Sequence, residues 1–279
     1  MEHKTRKRIR WSSAVCLALI CAELYLLLCA GCAHYQRKFI YFPPVLPEER
    51  VKELAAADRL TVWQSPSSKP VGWKRLYPEQ PSQGQVLVLH GNAGCAFQCA
   101  HYADAVQGAA KLDVFIVEYP GYADRPGAPT EKSLEESAEE AFRLLDPSRP
   151  IYVVGESLGT GVAAYLAGFN SNRIAGVALL APYNSLVDVA REHVSFLPVG
   201  LLLRDRYPAE RFLSSYHGPV AFVVAGKDTV IPEKFGRRLY DAYDGPKKLW
   251  EIPEGDHGSV MTQPTSFWKE ILAFWAANP

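Results

Sequence analysis

Short apolar runs alternate with amphipathic stretches along most of the chain. Eight runs that contain β-branched or aromatic residues are predicted as strands. They are Leu60–Gln64, Val71–Leu76, Gln85–His90, Val114–Tyr119, Ile151–Gly155, Ala175–Leu180, Val220–Ala225 and Lys247–Ile252. From the third run onward most are almost continuously apolar, which is typical of parallel strands buried on both faces.

Between these strands, apolar residues recur at three- and four-residue spacing and predict helices. The helical stretches are Cys95–Ala110, Ser133–Leu145, Leu158–Phe169, Glu233–Tyr243 and Thr265–Ala276. Because strands and helices alternate, we predict an α/β fold with a mostly parallel sheet of about eight strands and helices on both faces. A ligand site is expected at the carboxyl ends of the strands.

Two segments depart from this alternation. Tyr35 to Pro47 is rich in aromatic residues and proline, so it is predicted as an extended lead-in. The segment 183–218 is longer than one crossover requires and is divided by Pro198 and Pro208, which makes it a candidate cap insertion. Its apolar run 196–203 either lines an acyl pocket or packs a helix pair onto the domain.

The N-terminal 32 residues are predicted to be a signal peptide or membrane anchor, and residues 33–279 one catalytic domain. Five basic residues lie within the first ten positions, and the run Ser12 to Ala33 that follows carries one charge, Glu23. A secretory signal and a spanning helix both have this pattern. The 30 basic and 30 acidic residues of the whole chain balance, so we expect no nucleic-acid partner.

The end of the apolar run resembles the lipobox of bacterial lipoproteins. It reads Leu28-Cys29-Ala30-Gly31-Cys32, with Leu28 one step further from Cys32 than such boxes usually place it. We favour a lipoprotein modified at Cys32 over a retained helix, because signal peptides are removed at the end of the apolar run. Either form puts the domain at a membrane, on the extracytoplasmic (periplasmic) side.

Four of the six cysteines lie in this segment, so the domain has no disulfide framework. Cys95 and Cys99, with His101 nearby, lack the second ligand cluster of a zinc site and are expected to be packing residues. We expect no metal, no cofactor and no obligate protein partner.

The strongest chemical signal is Gly155-Glu156-Ser157-Leu158-Gly159, between a predicted strand and a predicted helix. A serine nucleophile needs this sharp turn with small neighbours, so that the hydroxyl is presented to the substrate. The first amides of the helix also point at any anion that forms beside the serine. Ser157 is therefore the predicted nucleophile.

A serine hydroxyl needs an imidazole base and a carboxylate behind that base. Asp228 follows the strand Val220–Ala225, and His257 follows the last strand in a glycine-flanked loop. The order Ser, Asp, His along the chain is the order that this kind of turn predicts. Rival acids are Asp256, Asp205 and Asp188, and rival histidines are His90, His101, His193 and His217.

Backbone donors for an oxyanion are predicted in the loop His90-Gly91-Asn92-Ala93-Gly94. We expect the N–H of Asn92, with that of Ala93 as second choice, to act with the N–H of Leu158. The Asn92 side chain could instead close the turn.

Together these pieces resemble the α/β-hydrolase superfamily, in particular N-terminally anchored serine hydrolases related to lysophospholipases, protein depalmitoylases and serine aminopeptidase-type proteins. The resemblance runs from about Tyr35 to the end of the chain. It is carried by QRKFIYFP at 36–43, HGNAG at 90–94, EYPGY at 118–122, GESLG at 155–159, GKDTVIP at 226–232 and GDHG at 255–258. The stretch 123–127 lacks the glycine and serine often found there, so this side of the pocket is expected to differ in shape.

The expected activity is hydrolysis of carboxylic esters or thioesters through an acyl-enzyme, with a small-molecule or lipid acyl substrate. An anchored enzyme meets such molecules at high local concentration. The same residues would also serve a serine peptidase or aminopeptidase-like amidase, or an acyltransferase that excludes water. A catalytically silent binding module is a further alternative, although its signature would be the loss of Ser157, Asp228 or His257.

Overall fold

The structure is a computed structural model that describes residues 2–79 and 81–279. Eight strands form one sheet. They are β1 Thr61–Gln64, β2 Pro70–Arg75, β3 Gly84–Leu89, β4 Leu112–Val117, β5 Ile151–Glu156, β6 Ile174–Leu180, β7 Val220–Ala225 and β8 Lys247–Ile252. Each lies within two residues of its predicted bounds, which is the usual uncertainty at the ends of strands and helices.

The strands are arranged in the order β1-β2-β4-β3-β5-β6-β7-β8. β2 pairs antiparallel with β1 and with β4, and every pair from β4 to β8 is parallel. The predicted α/β fold with a mostly parallel sheet of eight strands is therefore confirmed. Parallel strands end at one edge of the sheet, so the loops after β3, β5, β7 and β8 meet there.

Eleven α-helices accompany the sheet in the described part of the chain. They are α1 Glu2–Tyr35, α2 Arg37–Ile40, α3 Glu48–Ala57, α4 Ala100–Ala109, α5 Glu131–Arg143, α6 Leu158–Phe169, α7 Leu186–His193, α8 Val199–Leu202, α9 Ala209–Leu213, α10 Glu233–Ala242 and α11 Thr265–Ala276. A 3₁₀ turn, Ala96–Cys99, precedes α4, so the predicted helix Cys95–Ala110 begins in this tighter form.

The core is divided into two layers by the sheet. On β3, Leu87 and Leu89 belong to the cluster that packs α5, α6, α9 and α10 against one face. Val86 and Val88 point the other way, into the cluster that contains α3, α4 and α11. This alternation follows from the two-residue period of a strand, and it explains why the strand is apolar without interruption from Val86 to Leu89.

The lead-in was predicted incorrectly as extended throughout. Residues 37–40 form α2. Pro43 and Pro44 do not prevent this helix, because a proline restricts the backbone only at its own position and at the residue before it. The helix α3 was not predicted. The sequence features that indicate this helix are Pro47 at the N-cap and acidic residues in the first turn. Val51 and Ala55 are buried and lie one helical turn apart.

The helix α1 contains a run of 22 residues, Ala14–Tyr35, whose most apolar stretch of 18 residues has a mean hydropathy of 2.3. At 1.5 Å per residue this run is about 33 Å long, enough to cross the hydrocarbon core of a bilayer. Such a helix is compatible with a signal or an anchor. It continues without a break through Gly31 and Cys32.

Beneath the segment 183–218, the carboxyl group of Glu135 on α5 is partly buried. Its Oε1 has no hydrogen-bond partner among the residues that the structure describes. Burial, and then the nearby charges of Glu131 and Asp205, raise the pKa of Glu135 from 4.5 to about 8. Between these two values the folded chain holds a proton that the unfolded chain releases, so the free energy of unfolding falls as the pH rises from about 4.5 to 8.

We therefore expect Glu135→Gln to stabilise the protein increasingly over this pH window. The melting temperature should exceed that of the wild type by roughly 2 °C or more at pH 8.5 and by much less at pH 5. Thermal unfolding in detergent micelles measures the difference. The neighbouring exposed Glu136→Gln is the matched control and should show no such trend. A gain for Glu135→Gln that is the same at both pH values would contradict the assignment.

Candidate active site

Ser157 occupies a sharp turn between β5, which ends at Glu156, and α6, which begins at Leu158. Its backbone has φ 50° and ψ −120°, a region that residues other than glycine rarely adopt. Close packing enforces the turn. A Cβ on Gly155 would lie 2.6 Å from the Gly159 carbonyl oxygen, and one on Gly159 would lie 2.1 Å from that of Leu89. Only glycine fits at these two positions.

The structure brings Ser157, His257 and Asp228 together. His257 Nε2 lies 3.0 Å from Ser157 Oγ, and His257 Nδ1 lies 2.7 Å from Asp228 Oδ2. An ionised carboxylate can only accept, so Nδ1 carries the ring proton and Nε2 is left to accept from the serine hydroxyl. The three side chains therefore form a continuous hydrogen-bond relay.

Asp228 is fixed from the opposite side of the relay. Its other oxygen, Oδ1, accepts hydrogen bonds from the N–H groups of Val230 and Ile231, each 2.8 Å long. The Asp228 side chain is 1% exposed, whereas the His257 side chain is 24% exposed. A buried carboxylate with all three of these donors has one orientation, and it imposes that orientation on the imidazole.

The rival acids lie in other environments. Asp256 accepts from the N–H of Ser259, which lowers the pKa of Asp256 below its ordinary value. Asp205 pairs with Arg37, and Asp188 accepts from the Asn184 amide.

The rival histidines are also engaged elsewhere. His90 contacts Glu118, His193 contacts the Val230 carbonyl, and His101 contacts the Gln98 carbonyl. For His217 the structure records no comparable contact, and the residue lies in the short connection before β7.

The loop after β3 lies beside the turn at Ser157. The Asn92 side-chain amide donates to the Ile40 carbonyl at 2.8 Å, so it connects to the end of α2 instead of closing its own turn. The Asn92 carbonyl accepts from the Tyr122 hydroxyl at 2.9 Å. No backbone bond donated by the Asn92 N–H occurs among the described residues. Leu158, as the first residue of α6, also has an N–H without an intrahelical acceptor.

A partly buried acid that was not predicted connects this loop to the turn. Glu156 Oε1 accepts from the Gly91 N–H at 3.1 Å, and Oε2 accepts from the Tyr102 hydroxyl at 2.7 Å. Burial, and then the Glu156 charge, hold the pKa of Tyr102 well above its ordinary value, so the hydroxyl remains a donor. The only sequence signal was an acid at the second position of GESLG.

A second acid, Glu118, is buried and supports the same loop from below. Its Oε1 lies 3.1 Å from His90 Nε2, and its Oε2 accepts from the Ala96 N–H at 3.0 Å. Cys95 and Cys99 lie in this layer as buried free thiols, and burial raises the pKa of Cys95 to about 12. Among the residues described, no group of three or more His, Cys, Asp or Glu side chains is placed to hold a metal ion.

A cavity of about 490 Å³ opens above Ser157. Most of its wall is apolar. Part of this wall comes from the segment 183–218, in particular Phe196, Leu197 and Leu202. The other end of the segment packs into the core instead, through Ala209 and Leu213 on α9.

The remaining wall comes from the end of the N-terminal helix and the lead-in. Cys32 in the last turn of α1 lines the cavity, as do Phe39, Ile40 and Phe42. Cys32 is partly exposed. Its lipidation stays a prediction.

Comparisons with known proteins identify the family to which this fold belongs. Residues 84–214 match the family model of the alpha/beta hydrolase fold. An uncharacterized protein of Mycobacterium tuberculosis is 33% identical over 253 residues, which are 87% of this chain and 89% of that protein. The chain belongs to the α/β-hydrolase family.

Two further relatives of this α/β hydrolase are informative. A lysophosphatidylserine lipase of Danio rerio is 26% identical over 209 residues, 67% of this chain and 54% of the lipase. The structure of Est1E from Butyrivibrio proteoclasticus with bound ferulic acid superposes with a TM-score of 0.62 at 16% identity, covering 78% of this chain and all of that one. At this identity the likeness to Est1E shows the fold.

The strained backbone of Ser157 has a measurable consequence. Ser157→Gly and Ser157→Ala both remove the hydroxyl, but only glycine adopts φ 50° without strain. Relief of that strain outweighs the extra entropy of glycine in the unfolded chain, so we expect the glycine variant to be more stable by about 1 kcal/mol. Denaturant unfolding of the two variants measures this difference. An alanine variant of equal or greater stability would show that the turn is not strained.

Proposed function

We propose that this α/β hydrolase is a serine hydrolase that cleaves carboxylic ester or thioester bonds of substrates with an apolar acyl chain. The observation that carries the proposal is the relay of Ser157, His257 and Asp228 at the base of a cavity with a largely apolar wall. Acyl transfer requires a nucleophile, a base and an orienting acid that are linked in this order by hydrogen bonds.

In the first half of the reaction, Ser157 Oγ attacks the carbonyl carbon while His257 Nε2 takes the hydroxyl proton. The carbonyl oxygen becomes an oxyanion, stabilised by the backbone N–H groups of Asn92 and Leu158. Collapse of this tetrahedral species breaks the bond to the leaving group, which receives the proton from His257. The acyl group is then esterified to Ser157.

In the second half, His257 takes a proton from water, and the hydroxide attacks the acyl-enzyme. The carboxylic acid leaves and Ser157 regains its proton. Asp228 stays ionised throughout and stabilises the imidazolium that forms in each half. Glu156 acts as a positioning residue, because its bond to the Gly91 N–H holds the oxyanion loop at a fixed distance from the nucleophile.

The apolar wall supports an acyl chain as the part of the substrate that binds. A largely apolar cavity of about 490 Å³ is within the range of small-molecule sites, and it gains affinity from each buried methylene. The lysophosphatidylserine lipase among the relatives is consistent with a lipid ester. We assign the segment 183–218 as the cap that holds the chain, and residues 33–279 as the catalytic domain.

Residues 1–32 serve, in this proposal, as the signal peptide or membrane anchor that keeps the domain on the extracytoplasmic side. A lipidated Cys32 and a retained α1 would both attach the domain beside the cavity, since Cys32 lines it.

A chain-length series of p-nitrophenyl esters tests the substrate class. We expect kcat/KM to rise from acetate to octanoate by about tenfold or more, because each added methylene contributes up to about 0.8 kcal/mol on burial. Ser157→Ala should abolish turnover of every ester in the series. Anilides of the same acids provide the control for an amidase. Faster cleavage of the anilides, or rates that persist in Ser157→Ala, would contradict the proposal.

The role of Asp228 can be separated from that of its nearest rival. Asp228→Asn should lower kcat by about 10⁴-fold, because the amide no longer holds His257 in the required tautomer. Asp256→Asn is the matched control one residue from the histidine, and it should change kcat less than about twofold because Asn can still accept from Ser259. Comparable losses in the two variants would overturn the assignment of Asp228.

Intact mass spectrometry of the protein extracted from membranes tests the anchor. Cleavage before Cys32 with a diacylglycerol-modified N-terminus is expected for the lipoprotein that the sequence favours. A mass that still includes the basic N-terminal segment would contradict lipidation and indicate a retained α1.

A further inference from the structure

The cavity above Ser157 reaches the point at which the chain is attached to the membrane. Cys32 and Gln36, at the end of α1, line the same cavity as Ser157. Phe39, three residues further along, also lines it. The distance from the nucleophile to the anchor is therefore spanned by one continuous space.

The end of α1 is fixed to the segment 183–218, so the cavity mouth cannot turn away from the anchor. Buried Gln36 donates from Nε2 to the Leu202 carbonyl at 3.1 Å and accepts from the Arg204 N–H at 2.7 Å. Arg37 pairs with the buried carboxylate of Asp205 at 2.9 Å. These bonds hold the anchor and the wall of the cavity as one unit.

Large apolar side chains in the cavity wall, and Leu201 directly before the wall residue Leu202, are exposed. Phe39 is 70% exposed, Phe196 is 65% exposed and Leu201 is 88% exposed. Contiguous apolar surface next to a binding site usually marks an interaction surface, since water is a poor solvent for it. This surface is continuous with the apolar helix α1, which identifies the lipid bilayer as the partner.

The boundary of the bilayer can be placed from the same region. Tyr35 is exposed at the end of the apolar run, and Lys38 Nζ lies 5.3 Å from the centre of its ring. An aromatic residue with a basic neighbour is typical of the interface between hydrocarbon and water. The mouth of the cavity lies at this level.

One contact indicates how deep the rim of the cavity mouth, at Phe196, lies in the bilayer. The Tyr25 hydroxyl donates to the Phe196 carbonyl at 3.0 Å. Tyr25 precedes Tyr35 by ten residues, which is about 15 Å along a helix and about half of a hydrocarbon core. While α1 remains attached, the loop at Phe196 therefore lies beside the acyl chains of the near leaflet, with its carbonyl paired as that environment requires.

We propose that the cavity opens into the bilayer, and that ester substrates reach Ser157 sideways from the near leaflet, past Phe39 and Phe196, while Leu201 inserts into the lipid beside the mouth. This inference rests on the proposed function and deepens it. It makes the substrates membrane-resident acyl esters, whose chains move from lipid to the apolar cavity without crossing water.

Photocrosslinking tests the position of the rim without requiring activity. The full chain, with p-benzoylphenylalanine in place of Leu201, is reconstituted in phosphatidylcholine vesicles and irradiated. Leu76 provides the control position, because it is exposed but follows β2 at the opposite edge of the sheet. We expect lipid adducts at position 201 to exceed those at position 76 by about tenfold. Equal adducts at the two positions would overturn the proposal.

A kinetic comparison tests the route. Leu201 does not line the cavity, so Leu201→Ser should leave hydrolysis of water-soluble p-nitrophenyl acetate unchanged. Hydrolysis of p-nitrophenyl palmitate in phosphatidylcholine vesicles should fall by about fivefold, since the rim no longer inserts. Leu76→Ser should affect neither reaction. A Leu201→Ser variant that loses neither rate, or both equally, would overturn the proposal.

The two measurements distinguish this inference from the proposed function. If the wild type hydrolyses neither ester, the proposed function fails, whereas the adducts at position 201 still report the orientation. If the wild type hydrolyses both esters and position 201 gives no excess of lipid adducts, the bilayer-facing mouth fails alone.

Discussion

The site depends on the backbone conformation at Ser157, which has φ 50° although the residue is not glycine. The strain is sustained by close packing on both sides, since neither Gly155 nor Gly159 has room for a Cβ. Ser157 is the single residue that joins β5 to α6. As a result the hydroxyl points out of the sheet edge toward His257, and the first N–H of α6 lies beside it. Stability is reduced locally where the chemistry needs a fixed geometry.

Two acids, the buried Glu118 and the partly buried Glu156, extend this rigidity to the neighbouring loops. Glu156 binds the Gly91 N–H, and Glu118 contacts His90 and the Ala96 N–H. Each acid lies at the end of its own strand. The loops that follow these strands are far apart in sequence, and the two acids hold them at a fixed distance from the loop after β3. Above them the cavity is formed partly by the end of α1, the apolar helix that we propose as the anchor. The residues proposed for catalysis and the proposed anchor thus belong to one connected structure.

The sheet was predictable because most of its strands from β3 onward are almost continuously apolar, and α6 was predicted with its observed bounds. Ser157, Asp228 and His257 could be predicted as neighbours because each of them follows a strand of the sheet. Glu156 and Glu118 were not, since an acid in a motif carries no periodic signal and its partners lie far away in sequence. The lead-in was predicted as extended, yet residues 37–40 are helical, where Gln36 and Arg37 bond to the segment 183–218. The helix at residues 37–40 therefore depends on tertiary contacts, which the local sequence pattern does not show.

The most direct test of the account is the site of modification by a fluorophosphonate, mapped by peptide mass spectrometry on the full chain in detergent. The account predicts a single phosphonylated residue, Ser157, with labelling lost in Ser157→Ala and slowed at least a hundredfold in His257→Ala, because the hydroxyl is not activated without its base. An adduct on another serine, or unchanged labelling in either variant, would contradict the central claim that Ser157 is the nucleophile.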